Sequence, residues 1–533
     1  MAKKQHSLFL ELEPVRGGIY DCNLKAQAIN IAMNSLYASA NEILPKDKEA
    51  VINKLAPILN LSHTYLKDRI YRKKSFVWIA RKIAPDQSEQ IKNLRIRGLG
   101  FLRETKRIYP NGYLASQIIG FAGIDNAGLE GIEMTSDKYL RGEAGWAVFL
   151  RDARQKKLEI WEKMIPPKDG YDMILTIDEV IQYIAERELD KAYTKHHAKG
   201  ATIIVMNPYT GAILALANRP TFDLNEHSQV SKDRIRDRGL CDLFEPGSVF
   251  KIVTAAAAFE EKKVTETDRF FCENGRYKVG PHILHDHEPE GWLSFREVIE
   301  KSSNIGTVKA AQILGPDTLY KYIKLFGFGA KSGIDLPGEI SGLIREPKAW
   351  SKISIAAVPI GQEVGVTAIQ LVTAMSVIAN GGQLMKPYVI SEIKDKYGEM
   401  IKVFSPQVRN RVVSAETAAR LRKILAGVVA EGTGRLAKIE GFSAAGKTGT
   451  AQKLEPNGTY SHSKFVGSFV GFAPAEDPLI AVAVVMDEPH PAYYGGVVAA
   501  PVFKNVANDV IRYIRSTQKV IKPKVADEDK KAS

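Results

Sequence analysis

Gly441-Phe442-Ser443-Ala444-Ala445-Gly446-Lys447-Thr448, running on into Gly449-Thr450-Ala451-Gln452, matches the nucleotide-binding pattern GxxxxGK followed by Ser or Thr letter for letter. A P-loop must open a helix whose first amides hold the phosphates. Here the lysine and threonine meet Gly449, then Pro456-Asn457-Gly458, then a second apolar run at residues 465–472. That order describes a β-hairpin, so residues 443–452 read as a strand and no nucleotide site is expected. On a strand, Gly449 would let a substrate backbone approach closely, as an edge strand pairing with a peptide requires.

Outward from this hairpin the same pattern continues. Residues 479–486 form a further strand after the turn Glu476-Asp477-Pro478, and a helix over residues 500–515 closes the domain. Far upstream, the apolar runs 201–206 and 212–217 flank Asn207-Pro208-Tyr209-Thr210-Gly211 and make another hairpin. Hairpins at both ends of a helical middle imply one mainly antiparallel sheet flanked by helices, an α/β layered domain. Residues 173–177 read as its first strand, and Asp178 caps a helix through Ile181, Ile184, Ala185 and Leu189. Just before it, Pro166-Pro167-Lys168-Asp169-Gly170 breaks regular structure, which places a domain boundary there. The expected division is 1–168, an N-terminal α+β unit with helices at 25–40 and 46–59; 169–518, the main domain; and a Lys-, Asp- and Glu-rich disordered tail at 519–533.

The chain has 533 residues, 45% of them hydrophobic, too apolar for a disordered protein and too long for one ordinary domain. Its net charge of +13 favours anionic surroundings such as nucleic acid, acidic lipid or an envelope polymer. Three scattered cysteines, Cys22, Cys241 and Cys272, exclude a disulfide scaffold and a CxxC zinc site. No apolar stretch approaches the roughly 18 residues that span a bilayer. The opening Met1-Ala2-Lys3-Lys4-Gln5-His6 lacks a signal-peptide pattern, so the chain reads as cytoplasmic or as starting after a removed anchor.

Three further segments carry candidate chemistry. In Phe244-Glu245-Pro246-Gly247-Ser248-Val249-Phe250-Lys251, an alanine-rich helix begins with Ser248 in its first turn. Residues three apart share a helix face, so the Lys251 amine can reach the Ser248 hydroxyl and take its proton if the amine's pKa is lowered. In Ser302-Ser303-Asn304, between helices at 295–301 and 306–314, a hydroxyl and an amide project from a helix junction. Last, His282, His285 and His287 with Asp286 have metal-binding residue types but no supporting ligand spacing, and read as surface-loop histidines.

Each motif alone also fits a bland reading, but SxxK, SxN and Lys447-Thr448-Gly449-Thr450 in that order are the combination of penicillin-recognising serine enzymes. The chain resembles the class B penicillin-binding proteins, the D,D-transpeptidases that cross-link peptidoglycan. Arg16-Gly17-Gly18-Ile19-Tyr20-Asp21, Arg107-Ile108-Tyr109-Pro110 and Gly128-Leu129-Glu130-Gly131-Ile132-Glu133 look like the family's N-terminal pedestal motifs, while Cys22 and Leu24 depart from its usual arginine and glycine. Residues 76–82, Tyr493-Tyr494-Gly495-Gly496 and Ala500-Pro501-Val502-Phe503 look more like the septal, cell-division branch than the elongation branch.

The resemblance implies roles. Ser248 would be the acylated nucleophile, Lys251 its base, Ser302 the proton relay and Asn304 the substrate-amide contact. Lys447 would add positive charge near Ser302, Thr448 and Thr450 would hold the terminal carboxylate, and the amides of Ser248 and Thr450 would form the oxyanion hole. It implies stem peptides ending in D-Ala-D-Ala and β-lactams as ligands, and no metal, cofactor or nucleic acid. It further implies a single N-terminal membrane anchor that this chain lacks, a catalytic domain outside the membrane, and partners such as a SEDS-type glycosyltransferase and divisome proteins. A β-lactamase or D,D-carboxypeptidase would use the same motifs, and a non-catalytic β-lactam sensor or division scaffold would keep the fold. Ser302-Ser303-Asn304 in place of Ser-Asp-Asn, with no deacylating carboxylate in a recognised motif, favours a long-lived acyl-enzyme.

Overall fold

The computed structural model describes residues 6–72, 74, 76–151 and 157–517. The sheet at its centre runs β10-β9-β17-β16-β15, made of β9 (Gly200–Met206), β10 (Ile213–Arg219), β15 (Ala445–Leu454), β16 (Tyr460–Ala473) and β17 (Ile480–Asp487). All its pairings are antiparallel, so two hairpins distant in sequence meet through β17 and β9, as the sequence implies. The near-continuous apolar runs follow from burial on both faces. Ile203, Val205, Val482 and Val484 enter one core, while Ile204, Met206, Ala483 and Val485 enter the other.

The first core is sealed by α4 (Glu179–Lys195) and α10 (Ala500–Ser516), whose Val502, Phe503, Val506, Val510 and Ile514 repeat at helical spacing and are buried. Asp178 caps α4 by accepting from the amides of Val180 and Ile181. On the opposite face lies α8 (Ala368–Ala379), buried along its whole length. Beyond it pack α5 (Lys251–Glu260), α6 (Phe295–Glu300), α7 (Asn304–Leu314) and α9 (Ala415–Ala430).

The N-terminal unit is built on β1 (His6–Leu12), β2 (Ile19–Tyr20), β3 (Ala26–Ala38), β4 (Val77–Ile83) and β5 (Leu99–Ile108). Its helices α1 (Lys48–Leu59), α2 (His63–Ile70) and α3 (Pro85–Asn93) cover β3 and β4 through Leu36, Ile52, Leu55, Leu66 and Ile79. One expectation is overturned: residues 25–40 are a strand, β3, and not a helix. Ile29, Ile31 and Met33 alternate with Asn30, Ala32 and Asn34, a short period-two signal that the alanine-rich composition obscured. Pairing with β5 and β4 on either side fixes the extended form against that weak local preference.

A hairpin of β6 (Gly145–Arg151) and β7 (Lys157–Ile165) joins β1 in a separate three-stranded sheet. The main sheet of this half does not stop at Pro166-Gly170. It runs β14-β13-β8-β2-β3-β4, with β5 beside β3, where β8 is Asp172–Leu175, β13 Ile390–Lys394 and β14 Met400–Val403. β2 and β8 pair in parallel across the predicted boundary.

The three N-terminal motifs converge on one buried ion cluster. Arg16 Nε and Arg107 Nε each lie 2.6 Å from a different oxygen of Glu133, and Asp137 pairs with Arg16 Nη1. Leu24 is exposed with φ +61°, a conformation that glycine adopts at less cost. The tail at 519–533 lies outside the described residues. Among the described residues no helix is long and apolar enough to cross a membrane.

Candidate active site

Ser248 sits in a 3-10 turn, Gly247–Phe250, that leads directly into α5. Three close approaches hold the turn. Gly247 has φ +53°, and a Cβ there would lie 2.7 Å from the Thr450 carbonyl oxygen; Gly361 approaches the Gly247 backbone; Gly449 packs on Pro246 and Val249. A Cβ on Gly449 would meet Ser468 Oγ at 2.5 Å and the Pro246 carbonyl at 2.6 Å. The sequence reading gave Gly449 to substrate approach. The nearer reason for a glycine is that β15 must lie flush against the turn that carries Ser248.

α5 runs through the core with Lys251 fully buried, so the helix that begins at the candidate nucleophile delivers its lysine into a water-poor site. Lys251 Nζ donates to the Ser302 carbonyl oxygen at 2.5 Å and to Ser302 Oγ at 3.2 Å. The expected hydrogen bond from Lys251 to Ser248 is not formed, and the Ser248 hydroxyl makes no hydrogen bond among the described residues. The two motifs meet through Ser302 instead.

Lys447, on the face of β15 shared with Gly449, is also fully buried and donates to Ser302 Oγ at 2.8 Å. Two lysines therefore converge on one hydroxyl. Burial pushes the Lys251 amine well below its usual range, the nearby Lys447 charge adds to this, and Asp286 opposes it. Burial alone pushes Lys447 down to about 7. Both shifts favour the neutral amine, the form that can accept a proton.

The loop bearing Ser302 is strained and capped. Ser302 has φ +63°, in the left-handed region, and Ser303 caps α7 by accepting from the Gly306 amide. Asp286 holds this junction from outside: it accepts from Ser303 Oγ at 2.6 Å and from the amides of Asn304 and Ile305. Asn304 Nδ2 donates to the His285 carbonyl oxygen. His282–His285 form a strand paired to Arg276–Val279, while Asp286 and His287 follow it in the loop expected there, and the segment serves the site through Asp286 and one backbone carbonyl. Sequence reasoning noticed Asp286 only as a neighbour of histidines. Its role as a cap depends on a contact across 17 residues that no local pattern marks.

On the other face of β15, Thr448 Oγ1 lies 3.0 Å from Thr433 Oγ1, and Thr450 Oγ1 accepts from the Gly495 amide at 3.0 Å. Sequence reasoning gave no sign of Thr433, and it quoted Gly495 only as part of a branch-like motif and not as a partner of Thr450. β15 is the outermost strand of its sheet and presents a free edge beside Ser248.

Two family profiles match the chain: the penicillin-binding protein dimerisation domain over residues 11–175 and the penicillin binding protein transpeptidase domain over residues 201–508. The chain is a class B penicillin-binding protein. Stage V sporulation protein D of Bacillus subtilis (strain 168) is 39% identical over 96% of this penicillin-binding protein and 80% of its own length. The peptidoglycan D,D-transpeptidase FtsI of Escherichia coli (strain K12) is 31% identical over 93% and 83%. Penicillin-binding protein 3 of Mycobacterium tuberculosis, solved with aztreonam, superposes with a TM-score of 0.74 at 26% identity, covering 96% of this chain and 98% of that one. A peptidoglycan synthetase of Bifidobacterium adolescentis, 24% identical over 98% and 99%, shares the fold at a TM-score of 0.78. This penicillin-binding protein is accordingly a serine-type peptidoglycan D,D-transpeptidase with a β-lactam-binding catalytic domain.

Proposed function

We propose that the enzyme works through an acyl-enzyme on Ser248 and serves septal wall synthesis. The observation that carries the mechanism is the convergence of Lys251 and Lys447 on the Ser302 hydroxyl beside the Ser248 turn. Ser248 Oγ attacks the carbonyl carbon between the two D-alanines while its proton passes to neutral Lys251 Nζ. The C–N bond breaks, the proton moves through Ser302 to the departing D-Ala amine, and Ser248 is left as an ester. The amine of a second stem attacks that ester, its proton returns along the same path, and the new amide leaves with Ser248 restored.

Roles follow for the rest. The Thr450 backbone, which a Cβ on Gly247 would approach within 3.4 Å of its nitrogen, supports pairing of the Ser248 and Thr450 amides as the oxyanion hole. Asn304 would hold the substrate amide, and Thr448 and Thr450 its carboxylate. Residues 1–168 would act as a pedestal and 169–518 as the transpeptidase domain. A membrane anchor before the pedestal, a SEDS-type glycosyltransferase and divisome proteins complete the reading, which the likeness to FtsI supports.

The test is intact mass after incubation with penicillin. The wild type should gain one stable adduct that Ser248→Ala does not form. An adduct on Ser248→Ala, or penicillin turnover faster than about one per second, would sink the reading, the latter in favour of a β-lactamase.

A further inference from the structure

The positive charge of this chain is not spread along it. Residues 46–108 hold sixteen Lys and Arg against six Asp and Glu, so +10 of the net +13 lies in 63 residues of the N-terminal unit, none of them in the active site. The fold gathers part of this charge on one face. α2 and the residues that join it to β4 carry Lys67, Arg69, Arg72 and Lys74, and they lie against the start of α1, where Lys48 Nζ donates to the Ile70 carbonyl and the Tyr71 hydroxyl donates to Glu49. The acids nearby neutralise little. Lys67 and Arg72 meet Glu49 and Asp68 in exposed pairs that solvent screens.

Aromatic rings are threaded between these cations. Lys48 and Lys67 stand over Tyr71, 5.1 and 5.7 Å from its centre. Arg69 covers Tyr65 at 4.3 Å and donates to the Trp78 carbonyl, and Arg81 lies over Trp78 at 5.5 Å. Phe76 meets Trp78 edge-on at 4.9 Å and stacks on Tyr37 at 4.8 Å. Tyr65, Tyr71 and Phe76 nevertheless stay exposed, a cluster of apolar ring edges that the N-terminal core does not use.

We propose that this face is a contact surface for a membrane rich in anionic phospholipid. The cations meet phosphate headgroups, and the ring edges sit at the headgroup boundary, where amphipathic aromatic side chains are at home. The rings distinguish a bilayer from other polyanions. A nucleic acid stacks its bases on open ring faces, but each ring here already has a face taken by a cation or by another ring. A dissolved polyanion engages the cations and leaves the exposed edges in water. A bilayer interface uses both.

The test is flotation of the full chain with vesicles of phosphatidylcholine alone or mixed equally with phosphatidylglycerol, at about 0.15 M salt. The wild type should float with the mixed vesicles only. Replacing Lys67, Arg72 and Lys74 together by glutamine should weaken binding about 100-fold, roughly fivefold for each cation. Phe76→Ser, which leaves every charge in place, should weaken it about tenfold. Glutamine at Lys262, Lys263 and Lys352, three exposed lysines of the catalytic domain, should change it little. Melting temperature and penicillin acylation, expected to match the wild type, check that the N-terminal variants are folded, and the triple variant decides alone if Phe76→Ser is not. Failure to bind the mixed vesicles, equal binding to both kinds, or equal losses in the two triple variants overturns the proposal. So does binding of soluble polyphosphate as tight as that of the mixed vesicles with no effect of Phe76→Ser on either, which assigns the face to a polyanion in solution.

Discussion

At the residue scale the site turns on two buried amines that share one hydroxyl. Their folded pKa values lie below the unfolded value near 10.4, with Lys447 at about 7. Between those limits the unfolded chain binds more protons, so these groups make stability rise with pH from about 7 to about 10. Acylation should rise over an acid limb near neutrality that belongs to the pair, and Lys251→Ala should lose about 100-fold or more at every pH. A pH–rate profile of penicillin acylation checks both, and a flat profile removes lysine from the base role. Asp286 acts on the same limb from outside. Replacing it by asparagine removes the carboxylate that opposes the fall in the Lys251 pKa, so the limb should move to lower pH, while Asp286→Ala should slow acylation about tenfold or more by freeing Ser303 and Asn304. If neither the limb nor the rate moves, Asp286 is only a helix cap.

Ser248 and Lys251 stood out because a nucleophile and its base need particular residue types at helical spacing, and Ser302 and Lys447 because their motifs follow in the family's order. The contacts of Asp286, Thr433 and Gly495 did not. A carboxylate, a hydroxyl and an amide are common, and only the folded chain says which ones meet.

At the element scale the decisive choice was strand over P-loop for residues 443–452, and the turn at Pro456-Asn457-Gly458 was enough to make it because a phosphate loop needs a helix after it. β3 shows the opposite case: 13 residues of weak preference took their form from two partner strands that lie far along the chain. The contact between β15 and the Ser248 turn is where element geometry governs chemistry. Gly449→Ala puts a methyl within 2.6 Å of a backbone carbonyl that cannot swing away. We expect a cost of about 1–3 kcal/mol in stability and a larger relative loss of acylation, because separating the strand from the turn parts the Ser248 and Thr450 amides proposed as the oxyanion hole. Thermal melts beside acylation rates test this; a variant that acylates like the wild type shows that the contact is mere packing.

For the whole molecule, the boundary expected at Pro166-Gly170 does not interrupt the sheet. β2 from one side lies between β3 and β8, and β13 and β14 come from residues 390–403. A fragment starting at residue 169 should therefore expose the β8 edge and melt lower than the full chain or aggregate. Differential scanning of the two forms decides it, and equal melting temperatures would show that the shared sheet adds nothing. Removing Glu133 should cost about 3–5 kcal/mol, since it takes the carboxylate from buried Arg107 and leaves Arg16 with Asp137 alone.

The parallel pairing of β2 with β8 also has a mechanical meaning. Hydrogen bonds that run across a junction resist shear, so a push on the N-terminal half is passed through the strands instead of being absorbed at a linker. The cleft then keeps its bearing relative to whatever grips the other end. A torque applied to the N-terminal half would then turn the Ser248 turn with it instead of bending the chain at Pro166-Gly170.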